Sequence, residues 1–425
     1  MTIDSLHIFA GCHAAGLLSR RPSRPRGTSF VYGSGAPPHA QVSLTMPLRP
    51  ESWDMDHGLP PIFEMNLPEG MLRDWLTKLF SKAVGEVDDF RLLQLTGHSQ
   101  IGRLRVANSV AASVVSPAVA PPAMSWKELL AAHSAPGAEE LFDHLLRTYA
   151  VHSGLSGVQP KVLLPVSEAK QRVLSSRPDR ATFQGATHIV KAWREYPELA
   201  ANEYFCLMAA REAGLPVSQA KLSADGRLLV VDRFDFAPDN TDDAPGGSYL
   251  GFEDFCVLQG KQSARKYVGS YEKAAETMRR FVAPARAASA LAFFFEAIAF
   301  SVAIRNGDAH LKNFGVLYAT PEHGSVTPAP VYDVVTTTAY LPQDQMALTL
   351  AGSKKWPDAK RLLAFGVTRC DLSTSQARRA MGRIADSLHA TTRKIERYMS
   401  DRPEFKAVGT AMLEFWKVGA SQLCP

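Results

Sequence analysis

Hydrophobic and polar positions divide this chain into a strand-rich first part and a helical second part. Leu6-His7-Ile8-Phe9, Thr28 to Tyr32 and Gln41 to Met46 read as strands, separated by Gly and Pro. Leu67 to Ser81 has a helical period, with Pro68 near its first turn. Ser109 to Met124, rich in Ala, Val and Pro, predicts a linker. Helices are expected over Trp126–Ala132 and Ala138–Ala150. From 151 to 275 strands alternate with one helix: Val162–Leu164, Thr187–Lys191, a helix from Glu198 to Ala213 between Pro197 and Gly214, and Arg227–Val231. Beyond 276 the pattern is mainly helical. Ala287 to Ile304 is a nearly apolar run, and Ser373–Met399 places Met381, Ile384, Leu388 and Ile395 on one side. The expected fold is α+β and bilobal. It has a small β-rich subdomain (1–108), a linker with helices (109–150), a mixed lobe (151–275) and a helical lobe (276–425).

At 425 residues the chain exceeds one compact core. A net charge of +5 does not require a nucleic-acid polyanion as partner. The cysteines, Cys12, Cys206, Cys256, Cys370 and Cys424, are odd in number and scattered, which fits a reducing cytoplasm better than a disulfide framework or a zinc site. No secretory signal is visible. Ala287–Ile304 is long enough to span a bilayer, but Glu296 at its centre is costly in lipid, so a buried core helix is expected and no membrane.

The chemistry concentrates after that run. Arg305-Asn306-Gly307-Asp308-Ala309-His310-Leu311-Lys312-Asn313-Phe314 sets an Asp and an Asn five residues apart, and Val331-Tyr332-Asp333 adds another carboxylate. Protein kinases use this arrangement: the first Asp takes the proton of the attacking hydroxyl, and the Asn and second Asp hold Mg²⁺ between phosphate oxygens. A strand over Phe314–Tyr318, a turn at Pro321–Gly324 and a return strand over Val326–Val331 would bring Asn313 and Asp333 together.

Upstream, Ser153-Gly154-Leu155-Ser156-Gly157-Val158-Gln159-Pro160-Lys161 supplies small residues where backbone N–H groups can approach phosphate. Lys191 ends a strand, as a phosphate-binding kinase lysine does. Glu203 falls on the apolar face of the next helix, so Lys191 is its expected partner. Asp232-Arg233-Phe234-Asp235 lies where a kinase crosses between lobes and meets adenine. On Ser373–Met399, Arg379, Arg383, Arg393, Lys394 and Arg397 form a basic stripe, either a solvated face or a surface for an acidic partner or nucleic acid.

Together these residues resemble the HipA family of bacterial toxin kinases. The likeness runs through Leu155–Lys161, Thr187–Lys191, Asn202–Leu207, Asp232–Asp235, Gly307–Phe314 and Val331–Asp333, with Phe63–Gly70 and Ile101-Gly102 similar to the family's N-terminal subdomain. The resemblance implies a cytoplasmic Ser/Thr kinase using ATP and Mg²⁺. Its implied target is a cytosolic protein, typically an aminoacyl-tRNA synthetase, and its implied partner is a DNA-binding, HipB-like antitoxin through which alone it would meet DNA. It implies Asp308 as base, Lys191 on phosphates, and Asn313 and Asp333 on Mg²⁺. Nucleotide contacts are implied from Ser156, Gly157, Val158, Gln159, Lys161, Lys191, Asp232, Phe234 and His310. It also implies inhibitory autophosphorylation in the glycine-rich loop. The usual Ser position is Gly154 here; Ser156 stands two residues on. A small-molecule phosphotransferase, and an inactive kinase-like module acting with a DNA-binding partner, are the competing functions.

Overall fold

The computed structural model describes residues 4–109, 122–132, 135–167, 186–237, 248–321 and 326–423. Most of the expected linker, the expected turn at 322–324 and Cys424 lie outside them. Strands β1 (Ser5–Ala10), β2 (His13–Arg21), β3 (Arg24–Tyr32), β4 (Trp53–Met55) and β5 (Leu104–Ala107) form an antiparallel sheet in the order β4-β3-β2-β1-β5. Between β4 and β5 run α1 (Pro61–Glu64), α2 (Gly70–Val84) and α3 (Asp89–Thr96).

Two expectations in this region change. Gln41–Met46 is no strand; it keeps only a Ser43–Met46 bridge. Its backbone groups go elsewhere: Val42 N–H donates to the Tyr32 hydroxyl at 3.1 Å, and Leu44 N–H donates to Glu253 at 2.7 Å. The helix predicted from Leu67 begins at Gly70, which takes φ +51, a left-handed conformation that a helix continuing from Leu67 does not admit.

The second lobe opens with β6 (Met124–Ser125), α4 (Trp126–Leu130) and α5 (Ala135–Tyr149). It then forms an antiparallel sheet of β7 (Lys161–Leu164), β9 (His188–Lys191), β10 (Ala220–Leu222) and β11 (Leu229–Asp232), ordered β10-β11-β9-β7. The two-residue β8 (Val166–Ser167) pairs with β6. Helix α6 (Leu199–Glu212) lies between β9 and β10 in the chain. Ala200, Ala201, Phe205, Cys206, Ala209 and Ala210 are buried on it, so small side chains let it sit between the lobes. β12 (Phe236–Ala237) pairs with β13 (Ser248–Tyr249) beyond the crossing.

The last lobe carries the sheet β14 (Gly251–Asp254), β15 (Gly315–Tyr318) and β16 (Thr327–Pro328). It also holds helices α7 (Phe255–Leu258), α8 (Tyr271–Phe281), α9 (Ala287–Ala303), α10 (Ala359–Arg369), α11 (Thr374–Asp401) and α12 (Lys406–Leu423). The return strand is shorter than the predicted Val326–Val331, because Pro328 and Pro330 have no N–H to donate to a ladder. Val331 bridges to Val217 instead. Helix α9 packs Phe294, Ile298 and Val302 against Ile384 and Leu388 of α11 and Trp416 of α12 in one core. Glu296 leaves that core to meet Arg383 at 2.6 Å.

A second core joins the first two regions. Leu6, Ile8 and Phe30 of the N-terminal sheet and Leu76 of α2 belong to the same cluster as Leu145, Val162 and Val190. Polar contacts add to it. Gly154 N–H donates to Ser99 O at 2.8 Å, and Ile101 N–H donates to Gly154 O at 3.1 Å. At the crossing, Arg233 and Asp235 are fully buried and paired at 2.6 Å. Arg233 also donates to Gln100 O at 3.0 Å, and Gly102 N–H donates to Asp235 at 2.6 Å.

Candidate active site

The end of β9, the middle of α6, the residue after Tyr332 and the start of β7 converge. Lys191 Nζ donates to Glu203 Oε1 at 2.5 Å and to Asp333 Oδ1, while Lys161 Nζ stands 3.5 Å from Asp333 Oδ2. Both lysines and Glu203 are buried. Register explains the pairing: Lys161 faces Lys191 across β7 and β9, so the strand ends deliver two ammonium groups side by side.

Two cations around one carboxylate shape the charges. Burial alone would raise Asp333, but Lys161 and Lys191 hold it far below the usual carboxylate range. Burial would lower Lys191, yet Asp333 and Glu203 keep it firmly protonated. Lys161 is shifted down by burial, with Lys191 adding repulsion. Asp333 holds φ +52, a left-handed conformation that asparagine tolerates well and most residues do not.

The residues of the predicted catalytic loop face the same cavity, whose volume is about 900 Å³. Asp308 accepts a hydrogen bond from the Tyr267 hydroxyl at 2.6 Å. Burial raises its carboxyl above the ordinary range and Tyr267 draws it back. Asn313 Nδ2 donates to Asp308 O at 2.7 Å, leaving its amide oxygen as the atom available to a cation. His310 is buried and its imidazole is pushed down to about 3, first by burial and then by Lys266 and Lys312, so it is neutral. Lys312 also lines the cavity, but its ammonium is engaged: it donates to Met65 O at 3.1 Å, Glu69 at 2.9 Å and Ser263 at 3.0 Å.

The remaining predicted contacts fall as follows. Ser156, Gly157, Val158, Gln159 and Lys161 line the cavity, as do Asp232, Phe234 and His310. Gly157 takes φ +118, and a Cβ there would lie 2.4 Å from Lys161 Nζ, so the loop folds directly over the ammonium. Gln159 is pinned by a bond to Ala192 O at 3.2 Å, and Asp232 pairs with His188 at 3.1 Å. Phe234 stacks on Tyr332, their centroids 5.0 Å apart. With Ile189, Leu155 and Val231, this stack gives the cavity apolar walls beside its cationic group. Ser153 is fully buried, donates to Tyr149 O at 2.7 Å and accepts from Leu163 N–H at 2.8 Å.

A family model described as HipA-like C-terminal domain matches residues 153–392. The chain belongs to the HipA family. A HipA N-terminal domain model matches residues 6–107. Among known sequences, "Putative kinase Y4mE" of Sinorhizobium fredii (strain NBRC 101917 / NGR234) is 32% identical over 194 residues, covering 44% of this chain and 43% of that protein. The chain thus spans less than half the length of that relative. "Putative kinase Y4dM" of the same strain is 26% identical over 333 residues, or 74% of this chain and 72% of that protein. Among solved structures, the Shewanella oneidensis MR-1 toxin–antitoxin complex of HipA, HipB and operator DNA shares the fold, with a TM-score of 0.63 at 18% identity over 98% of this chain and 99% of that one.

This HipA-family cavity includes residues that sequence reasoning missed. Met71, Asp74, Trp75 and Lys78 of α2 and Tyr267 all line it. Glu69, before α2, bridges Lys312 and Lys266, each at 2.9 Å. The Pro68-Glu69-Gly70 run was legible as a helix start, but nothing in the sequence pointed it at a catalytic loop more than two hundred positions away.

Proposed function

We propose that this HipA-family chain is an ATP-dependent Ser/Thr protein kinase of a toxin–antitoxin pair. One observation carries the reading: Lys161, Lys191, Glu203 and Asp333, drawn from separate segments, meet in one cavity with Asp308 and Asn313. A cavity of about 900 Å³ with apolar walls beside a cationic cluster suits a nucleotide. The donor set suits Mg²⁺, which takes one or two carboxylates along with phosphate oxygens. Asp333 stays ionised and Asn313 offers an amide oxygen. When bound, the ion neutralises charge on the phosphates. Lys161 and Lys191 attract and orient those phosphates. Asp308 accepts the proton of the acceptor hydroxyl. The hydroxyl oxygen then bonds to the γ-phosphorus, the bond to the β,γ-bridging oxygen breaks, and ADP leaves. Lys312 is spent on Glu69, Met65 and Ser263, so the phosphate charge is assigned to Lys161 and Lys191.

The reading extends to partners. A complex of HipA with HipB and operator DNA has this fold, which supports a DNA-binding antitoxin as partner; an aminoacyl-tRNA synthetase is the proposed target. Ser156 is the proposed self-inhibitory site, since phosphate there would add about −1.5 to −2 charges beside those of ATP. The buried, doubly bonded Ser153 is not available for that role.

The test is incubation of the purified protein with radiolabelled Mg²⁺-ATP and a cell lysate, followed by mass spectrometry. Label is expected on Ser or Thr of a synthetase and on Ser156. Asp308→Asn and Asp333→Asn are expected to lose both signals while remaining folded; Asn also fits the φ of Asp333. Label found only on metabolites would sink the protein-kinase reading. Full transfer by Asp333→Asn would remove its assigned role, and an unmodified Ser156 in active protein would end the self-inhibition proposal.

A further inference from the structure

The carboxylate of Asp308 is the least restrained part of the catalytic loop. The loop backbone is well tied: Asp308 N–H donates to Asn306 Oδ1 at 3.1 Å, and Asn313 Nδ2 donates to Asp308 O at 2.7 Å. The Asp308 side chain is 48% exposed, so those backbone bonds do not choose its rotamer. Its neighbours offer little else. His310 Nε2 lies 3.8 Å from Oδ1, beyond hydrogen-bond reach, and is neutral. Lys266, Asp333 and Asp344 act on it through charge alone. Among the described residues, the Tyr267 hydroxyl makes the one close side-chain bond, 2.6 Å to Oδ1. That is the range of a charge-assisted O–H···O⁻ bond.

Tyr267 can impose a geometry because its own segment is fixed. Leu311 N–H of the catalytic loop donates to Lys266 O at 3.1 Å, and Lys266 Nζ pairs with Glu69 at 2.9 Å. Lys261 Nζ donates to Val268 O at 2.6 Å. The Tyr267 ring stands edge-on to His310, with centroids 5.0 Å apart. The segment and the catalytic loop therefore hold each other in register.

We propose that Tyr267 is a positioning residue for phosphoryl transfer: its hydroxyl fixes Oδ1 of Asp308 and leaves Oδ2 as the oxygen that receives the acceptor hydroxyl. The assignment rests on Asp308 acting as the base. Placement of a base to within an ångström is worth orders of magnitude in rate, whereas nucleotide affinity does not depend on it. Tyr267→Phe keeps the ring against His310 and removes only the donor.

With the acceptor protein labelled in the lysate experiment, Tyr267→Phe is expected to lower kcat at least tenfold, with KM for ATP within twofold of wild type and melting unchanged. Unchanged kcat would overturn the proposal. So would a raised kcat, which would make Tyr267 an obstruction to the acceptor. A matched fall in kcat and rise in KM would instead report a general disturbance and also defeat it. Crystal structures of both proteins give a readout independent of turnover: Asp308 is expected to leave its rotamer in Tyr267→Phe, and an unmoved carboxylate would refute the claim. Wild-type protein that transfers no phosphate defeats the kinase reading, while the Asp308 rotamer still decides on Tyr267.

Discussion

Lys191 does two things at once, and its variants separate them. It neutralises Glu203, which is 1% exposed, and it holds Asp333. Removing one partner of a buried pair typically costs about 3–5 kcal/mol. Lys191→Met strands the buried Glu203 and leaves Asp333 to Lys161 alone, whereas Glu203→Gln removes a buried negative charge and leaves Lys191 with Asp333. Lys191→Met is therefore expected to destabilise the fold more than Glu203→Gln, by roughly 2 kcal/mol or more within the range for broken buried pairs. Urea denaturation of the two variants checks this, and the reverse order would contradict the pairing described. The pair was legible from sequence because a carboxylate inside an apolar helical stripe demands a cation, and Lys191 ends the preceding strand. Tyr267 was not. It sits in a segment without apolar period, and only the folded contact gives it meaning.

At the scale of elements, the start of α2 is the least legible and most informative piece. Burial pushes the Glu69 carboxyl up, but Lys312 and Lys266 outweigh it and draw it down to about 2. The sign follows: a carboxyl lowered on folding lends stability that is complete above its unfolded value and is lost as pH falls through its folded one. The Glu69 contribution should thus fade between about pH 4.5 and pH 2, and is worth at most about 3.5 kcal/mol at ~1.4 kcal/mol per pH unit. Wild type is expected to lose more stability than Glu69→Gln over that interval. Parallel pH profiles in chemical denaturation would mean that Glu69 does not clamp the two lysines. The hairpin after Asn313 was read correctly in direction and overestimated in length, since the two prolines that bound it also remove its ladder bonds. Gln41–Met46 misled for a related reason. Its apolar content matched a strand, but Tyr32 and Glu253, distant in sequence, claimed its backbone. The basic stripe on α11 is partly engaged in surface ion pairs within the chain, where Arg383 meets Glu296 and Lys394 meets Glu212.

Over the whole molecule, the order of a strand-rich part before a helical part was plain in the chain, because periods of two and of 3.6 residues separate cleanly. The core shared by the N-terminal sheet and the β7–β11 sheet was not, since apolar residues alone do not say which sheet they face. That sharing bears on time as well as shape. Most two-lobed enzymes breathe at a crossing segment, and product escapes when they open. Here the crossing is stapled: Arg233 and Asp235 reach Gln100 and Gly102, and Gly154, at the root of the glycine-rich loop, is bridged to Ser99 and Ile101. These bonds latch the N-terminal region to the crossing, and hinge motion there would uncover a buried ion pair. On the proposed kinase reading, ADP should then dwell for as long as that latch restrains the hinge. Stopped-flow release of a fluorescent ADP is expected to quicken severalfold in Asp235→Asn, and an unaltered off-rate would show that the latch does not govern residence.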